Sequence, residues 1–557
     1  MLIRRVGAVL ALVLGLAVAL PFAASAPAQA ANPDQPVRLA IAVPITVPAS
    51  SIGLIDADAL EAYTRPLGVL TRQLDAVYGR QVAIGVDPTI IASIRALGTT
   101  APESALAWLE RLEDAPNQIF ALGYADLDLT LATQGGAPVL PVPTSIPLDP
   151  AIVEPEEPTG TPTPEPTDEA DEPDGPDLPD VDDLLAWSYS TTGLAWPREG
   201  TVIASDLAAF GASEYTTTIV SSSNLARDAS STPTTDIDGM EVLVSDAAVS
   251  EALRAAAATT DAASWAGAMA GLTEALAAAA RVQPGEQATV FATLSRDVPI
   301  SATRLAETLD TLAVDATVTS IPLSLALAAQ PDTAAVVDAP QPADRVAQAA
   351  LLLEADANVD RFATIAADPA AITGPERLAL LALLSNAWES SQSGWPAAIT
   401  EQLAATRELT TLVQVGETSR LNLLADRERL PIPIVNGLDQ AITVIVTVDP
   451  DLSILAIEDR RVEVTIEPNS QTNALIPVQA VSNGTVQVEV TLASTTGVAV
   501  GGAKSVEVVV NAGWETPIFV VLASGVVILF VGGIVRNIVR RRRASADTAT
   551  AAGPAGD

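Results

Sequence analysis

The stretch VAIGVDP, residues 82–88, decides how the first half of the chain is read. Val82 to Val86 carries no polar side chain. A strand with one wet face alternates apolar and polar residues, so an unbroken apolar run of this length predicts a strand covered on both faces. Asp87-Pro88 then reads as a helix start, with a carboxylate to accept the first free N–H groups and a proline whose fixed φ suits the first helical position. A doubly covered strand that passes directly into a helix is the repeating unit of a parallel α/β fold.

The pattern recurs on both sides. Apolar runs at 37–43 (VRLAIAV), 119–123 (IFALG), 192–196 (TGLAW), 217–221 (TTIVS), 241–245 (EVLVS), 288–294 (ATVFATL) and 316–320 (ATVTS) alternate with helical patterns at 56–77, 102–113, 246–280 and 301–312. With 82–87, that makes eight strands within 37–330. The reading is an irregular (β/α) barrel-like domain, with an open doubly wound sheet as the alternative. An acidic, Pro-rich insert at 138–183 interrupts it. From Asp149 to Asp183 there are 14 acidic and no basic residues. Too few apolar groups are present to offset the entropy of ordering, so the insert is expected to be disordered, a tolerated surface insertion or an interaction arm.

Residues 342–411 carry apolar side chains at helical spacing, among them Phe362, Leu378, Leu381 and Trp388, and predict a helical segment with one helix starting at Gly374-Pro375. Residues 420–511 switch to a period of two: Ile442, Val444, Val446 and Val448 alternate with their neighbours, as do Val486, Val488 and Val490. Asn436-Gly437 and Asn483-Gly484 supply turns. This predicts an immunoglobulin-like β-sandwich without a disulfide.

The ends place the chain at a membrane. Residues 1–30 read as a signal peptide: Arg4 and Arg5, an apolar run from Val6 to Leu20, and a small-residue cleavage site at Ala28-Gln29-Ala30. Residues 517–535 contain no charge and are long enough for one transmembrane helix, flanked by Trp514 on one side and by Arg536, Arg540, Arg541, Arg542 and Arg543 on the other. Arginines on that flank predict a cytoplasmic tail, 536–557, with the bulk of the chain extracytoplasmic: a single-pass cell-membrane protein.

Composition narrows the chemistry. A net charge of −39 excludes nucleic acid as a partner, because phosphates require a basic face. The chain has no Cys and no His. Thiolate or imidazole metal sites and a Ser-His-Asp triad are thereby excluded, and no metal or cofactor is expected. Carboxylates remain. Asp87, Asp126 and Asp246 lie at predicted strand ends, where a barrel places its site, and are the candidate catalytic residues; Tyr124, Asp128, Trp196 and Arg198 are candidate ligand contacts. Paired carboxylates would suit glycoside hydrolysis, while the simpler reading of Asp87 and Asp246 is helix capping. Aromatics at 3% are sparse for a sugar-processing cleft.

The segments FALGYADLD (120–128), LAWPREG (194–200), ERLALLALLSNAW (376–388) and LPIPIVNGLDQAITVIVTV (430–448) resemble an uncharacterised actinobacterial envelope family, a domain of unknown function. That resemblance implies a signal peptide, a barrel-like region, an immunoglobulin-like domain and a C-terminal span. It also implies a cell-envelope role, since such proteins are often encoded beside the lipid II flippase. Gly123 and Leu127 depart from the family's pattern, which reads closer to LPYADPD there. The expectation is a non-catalytic binding or scaffold partner in cell-wall biogenesis, contacting wall glycan or wall-synthesis membrane proteins; the alternative is a glycoside-hydrolase-like enzyme.

Overall fold

The computed structural model describes residues 35–148, 178–228, 232–281, 287–296, 300–417, 420–423, 425–510 and 515–548. The signal-peptide reading at 1–30, Trp514, the centre of the acidic insert and the end of the tail lie outside them.

All eight apolar runs form strands: β1 (Val37–Ile45), β2 (Ala83–Val86), β3 (Gln118–Ala121), β4 (Leu194–Ala195), β5 (Thr217–Ser221), β6 (Met240–Ser245), β7 (Thr289–Thr293) and β8 (Val318–Ser320). They pair in parallel in the order β4-β5-β6-β7-β1-β2-β3, with β8 beside the first half of β1. The sheet curls toward its own far edge. Phe120 of β3 makes a parallel bridge with Thr191, and Ser190 N donates to Ile119 O at 2.8 Å, just ahead of β4. All four residues of β2 are buried, as its uninterrupted apolar sequence requires; each Val or Ile there contributes roughly 1.5–3 kcal/mol of burial.

The connecting helices keep the predicted places but break where the chain demands it. The 56–77 pattern divides into Ala57–Thr64 and α1 (Val69–Val77), because Pro66 cannot continue a helix. The 246–280 pattern divides into Ala247–Ala258 and Ala262–Arg281 around Thr259-Thr260-Asp261. Asp87 caps α2 (Pro88–Ala96), accepting from Thr89 N at 3.0 Å.

The helical segment comprises α3 (Ala343–Ala363), α4 (Ala370–Leu383), a 3₁₀ turn at Asn386–Ser391 and α5 (Trp395–Thr411). The expected helix start at Gly374-Pro375 is wrong. The helix begins at Ala370, whose N–H is accepted by Asp368 Oδ1 at 3.1 Å, and Pro375 lies inside it. Asp368-Pro369 repeats the Asp87-Pro88 signal. Gly374 serves a close approach instead: a Cβ there would meet Ser145 Cβ at 2.9 Å. The segment has two packing partners. Leu378, Leu380, Leu381, Leu383, Leu384, Trp388 and Trp395 join the core beneath β4 to β6. Val359, Phe362, Ile365 and Ile372 join the core of the following β region.

That region holds two facing sheets on one core. One runs 413–415, 427–436, 470–480, 455–457; the other runs 421–423, 499–510, 484–493, 442–450, 461–466. The first strand begins at Val413, ahead of the expected boundary at 420. Asn436 ties its turn, accepting from Leu438 N at 3.0 Å and donating to Gln440 O at 2.8 Å. The described chain ends in α6 (Glu515–Thr548), whose stretch Phe519–Arg543 is long and apolar enough to cross a membrane and whose apolar side chains are exposed among the described residues.

Candidate functional site at the carboxyl ends of the strands

Every candidate site residue lies beyond the carboxyl end of a strand: Asp87 after β2; Tyr124, Asp126 and Asp128 after β3; Trp196 and Arg198 after β4; Asp246 after β6. Proximity to one end of a sheet does not make them one site, and their partners divide them.

Asp87 is fully buried and occupied. Besides Thr89 N, the backbone N–H groups of Ala125 and Asp126 face its carboxylate. Both residues have left-handed φ (58° and 48°), a conformation that costs non-glycine residues roughly 1–3 kcal/mol. Ala125 N donates to Thr89 Oγ1 at 2.7 Å, so the residue whose N–H caps onto Asp87 also holds the turn that presents Asp126. Burial pushes the Asp87 carboxyl up to about 6, against the pull of these hydrogen bonds. Asp246 caps the next helix, accepting from Val249 N at 2.9 Å. Tyr124 donates its hydroxyl to Gly53 O at 2.8 Å and anchors the 47–55 loop; burial raises its phenol further above the usual range.

Asp126, Trp196 and Arg296 form a second group. Arg296 Nε is 2.7 Å from Asp126 Oδ1. Its guanidinium lies 4.5 Å from the centroid of the Trp196 ring, and its Nη2 donates to Trp196 O at 3.1 Å. Asn386, from the 3₁₀ turn, donates Nδ2 to Asp126 O at 2.9 Å. Burial pushes the Asp126 carboxyl up to about 7; Arg296 opposes the shift, and the nearby carboxylates of Asp87 and Asp128 add to it. Asp126 Oδ2 is buried with no hydrogen-bond partner among the described residues.

The third group closes the mouth. Arg198 forks onto Glu389, Nη1 to Oε1 at 2.6 Å and Nη2 to Oε2 at 2.8 Å. Arg345 Nη1 reaches the same Oε1 at 2.7 Å, with its guanidinium 4.5 Å from the Trp395 ring centroid. The Glu389 side chain is 4% exposed. A carboxylate this buried is stable only where cations compensate it, and here two do. Beside it, Asp128 caps Leu129–Gln134 through Leu131 N at 3.1 Å and receives Gln341 Nε2 at 3.0 and 2.8 Å on its two oxygens. Burial raises its pKa. Asp128 N also donates to Leu384 O at 2.8 Å, and Leu127 bridges Ser385.

Glu389, Arg345, Gln341 and Asn386 were not singled out by sequence reasoning. Glu389, Arg345 and Asn386 come from the helical segment and Gln341 from just ahead of it; Glu389, Gln341 and Asn386 are separated by 191 to 260 positions from the Arg198, Asp128 and Asp126 they meet, and Arg345 joins them through Glu389. No local spacing could connect them. The helical segment therefore lies across the strand ends, where an open α/β site would take its substrate. Glycoside hydrolysis needs two carboxyl groups facing one cleft. Here Asp87 and Asp128 are engaged by backbone N–H groups and Glu389 by two arginines.

The sequence matches the family of unknown function DUF6049 over residues 28–555. The chain belongs to that family. No curated protein matches the sequence. Among solved structures, trypsin-activated alpha-2-macroglobulin from Escherichia coli is similar at 18% identity and a TM-score of 0.14, over 18% of this chain and 7% of that one. WR4, a Caenorhabditis elegans MSP family member, gives 10% identity and a TM-score of 0.14, over 18% of this chain and 98% of its own. The periplasmic chaperone SfaE gives 8% identity at the same TM-score, over 18% of this chain and 58% of its own. At that TM-score the likenesses carry nothing for the function of this DUF6049 chain.

Proposed function

We propose that this chain is a membrane-anchored extracytoplasmic protein of the cell envelope that acts by binding, as a non-catalytic partner in cell-wall biogenesis. The observation that carries the non-catalytic part is Glu389, buried between Arg198 and Arg345 over the strand ends. A substrate approaching those ends meets the helical segment first.

Several features support the wider reading. The curled parallel sheet, with its Phe120–Thr191 bridge, fits an irregular (β/α) barrel. The two facing sheets fit an immunoglobulin-like spacer. α6 fits a single span, and the arginines from Arg536 to Arg543 fit a cytoplasmic flank. The N-terminal apolar run fits export. The resemblance to actinobacterial envelope proteins encoded beside the lipid II flippase suggests wall glycan or a wall-synthesis membrane protein as the partner.

The test is capture from crosslinked membranes together with sedimentation against purified wall material. Recovery of wall-synthesis proteins, or retention on the wall, supports the reading; neither, in repeated trials, contradicts it.

One observation favours a second reading. Burial pushes the Asp126 carboxyl up to about 7 against the pull of Arg296, and its Oδ2 has no hydrogen-bond partner among the described residues, the setting of a general acid. A hydrolase would release reducing ends from wall glycan and lose that activity in Asp126→Asn. Absence of release by the intact protein eliminates it.

A further inference from the structure

Beside the closed mouth there is a cleft of about 300 Å³ that none of the candidate catalytic residues Asp87, Asp126 and Asp246 lines. It opens at the carboxyl ends of β1 and β7, against Val43, Thr46, Ser295 and Arg296. Val69 and Ala302, which begin α1 and the helix Ala302–Val314, form part of its wall. The N-terminal ends of both helices thus meet it with their positive poles, and α1 has no side-chain cap and no acid in its first turn.

The charged residues in the wall are Arg72 and Arg296, with no carboxylate among the described lining residues. In a chain of net charge −39 that is a local reversal of sign. Arg296 is rigid: its side chain is 6% exposed, stacked on Trp196 and tied by Nε to Asp126 and by Nη2 to Trp196 O. Asp126 offsets its charge, and no protein acceptor for its Nη1 is found among the described residues. Arg72 is exposed and has no ion-pair partner among the described residues, so it supplies the uncompensated charge. Gln73 places a buried Oε1 with no hydrogen-bond partner among the described residues in the same wall, an acceptor suited to a hydroxyl. Val43, Val69 and Ile300 give the remainder an apolar surface.

We propose that this cleft binds a small hydroxylated ligand bearing an oxyanion, a sugar acid or a sugar phosphate, with Arg72 and Arg296 on the anion and Gln73 on a hydroxyl. The proposal rests on the reading of the chain as a binding protein and gives that reading a site and a ligand class. Fixed guanidinium groups beside helix N-termini recognise carboxylate and phosphate alike. The source of the anion is settled by the probes.

The experiment is calorimetric titration of the full chain in detergent micelles with glucuronate, glucose 1-phosphate and glucose. One of the two anions binds at least about tenfold more tightly than glucose, which carries the hydroxyls without the charge. Arg72→Gln weakens that anion about tenfold without moving the thermal midpoint, and Arg72→Lys restores most of it. Preference for glucuronate assigns a sugar acid, and preference for glucose 1-phosphate a sugar phosphate. Equal binding of glucose, no binding of either anion, or full affinity in Arg72→Gln overturns the assignment. Retention of the unliganded chain on wall material alongside any of those results shows that the binding reading stands and this cleft is not its site.

Discussion

Glu389 and Arg198, 191 positions apart in the chain, meet through two hydrogen bonds of 2.6 and 2.8 Å, with Arg345 closing on the same carboxylate. The pair ties the 3₁₀ turn of the helical segment to the residues that follow β4. It is the contact through which one part of the molecule covers the strand ends of another.

Removing one member of a buried ion pair leaves the other uncompensated and costs about 3–5 kcal/mol. Glu389→Gln leaves two arginines facing an amide. Denaturant unfolding of this variant should show a loss of about that size, and hydrogen exchange should accelerate across 343–411 before it does in the facing sheets. Unchanged exchange in that segment would mean that the contact does not hold it in place.

The Asp87 carboxyl, buried and pushed up to about 6, binds its proton more tightly in the folded than in the unfolded chain. Between the ordinary carboxyl value near 4 and about 6 the folded state therefore holds more protons. The contribution of this group to stability is fully present below pH 4 and declines as pH rises through 6. Asp87→Asn keeps a side-chain cap for α2 and removes the titration. Its stability, measured from pH 4 to 7, should fall less steeply than that of the parent chain.

Asp246 separates capping from catalysis. Its side chain accepts from Val249 N and so caps the helix Ala247–Ala258. Asp246→Ala should cost about 1 kcal/mol and Asp246→Asn only a few tenths, with wall binding unchanged in both. Thermal melts alongside wall sedimentation check this. A binding or hydrolysis defect in the stable Asp246→Asn variant would give the residue a direct role.

Local signals carried far in this sequence, and long-range ones did not. VAIGVDP yields a buried strand, a cap and a helix because each follows from neighbours a few positions away. The alternation at 442–448 and the Asn436 turn are legible for the same reason. Gly374-Pro375 misled because the glycine answers to Ser145 across the fold, while the helix start lies at Asp368-Pro369. At the site, the strand-end acids were legible and their neutralisation was not. Asp87 and Asp246 read equally as caps or catalysts until their N–H partners are seen, and nothing near Glu389 in sequence announces Arg198 or Arg345.

The account depends most on topology: nearly all of the chain outside the membrane, held by α6. The natural sequence has no cysteine, so a single introduced thiol reports its side without background. Thr485→Cys, exposed on a strand of the facing sheets, and Ser545→Cys, beyond the arginines of α6, are to be treated in intact cells with a membrane-impermeant maleimide. The account predicts labelling of Thr485→Cys in intact cells and of Ser545→Cys only after lysis. Labelling of Ser545→Cys alone, or of neither before lysis, would contradict it.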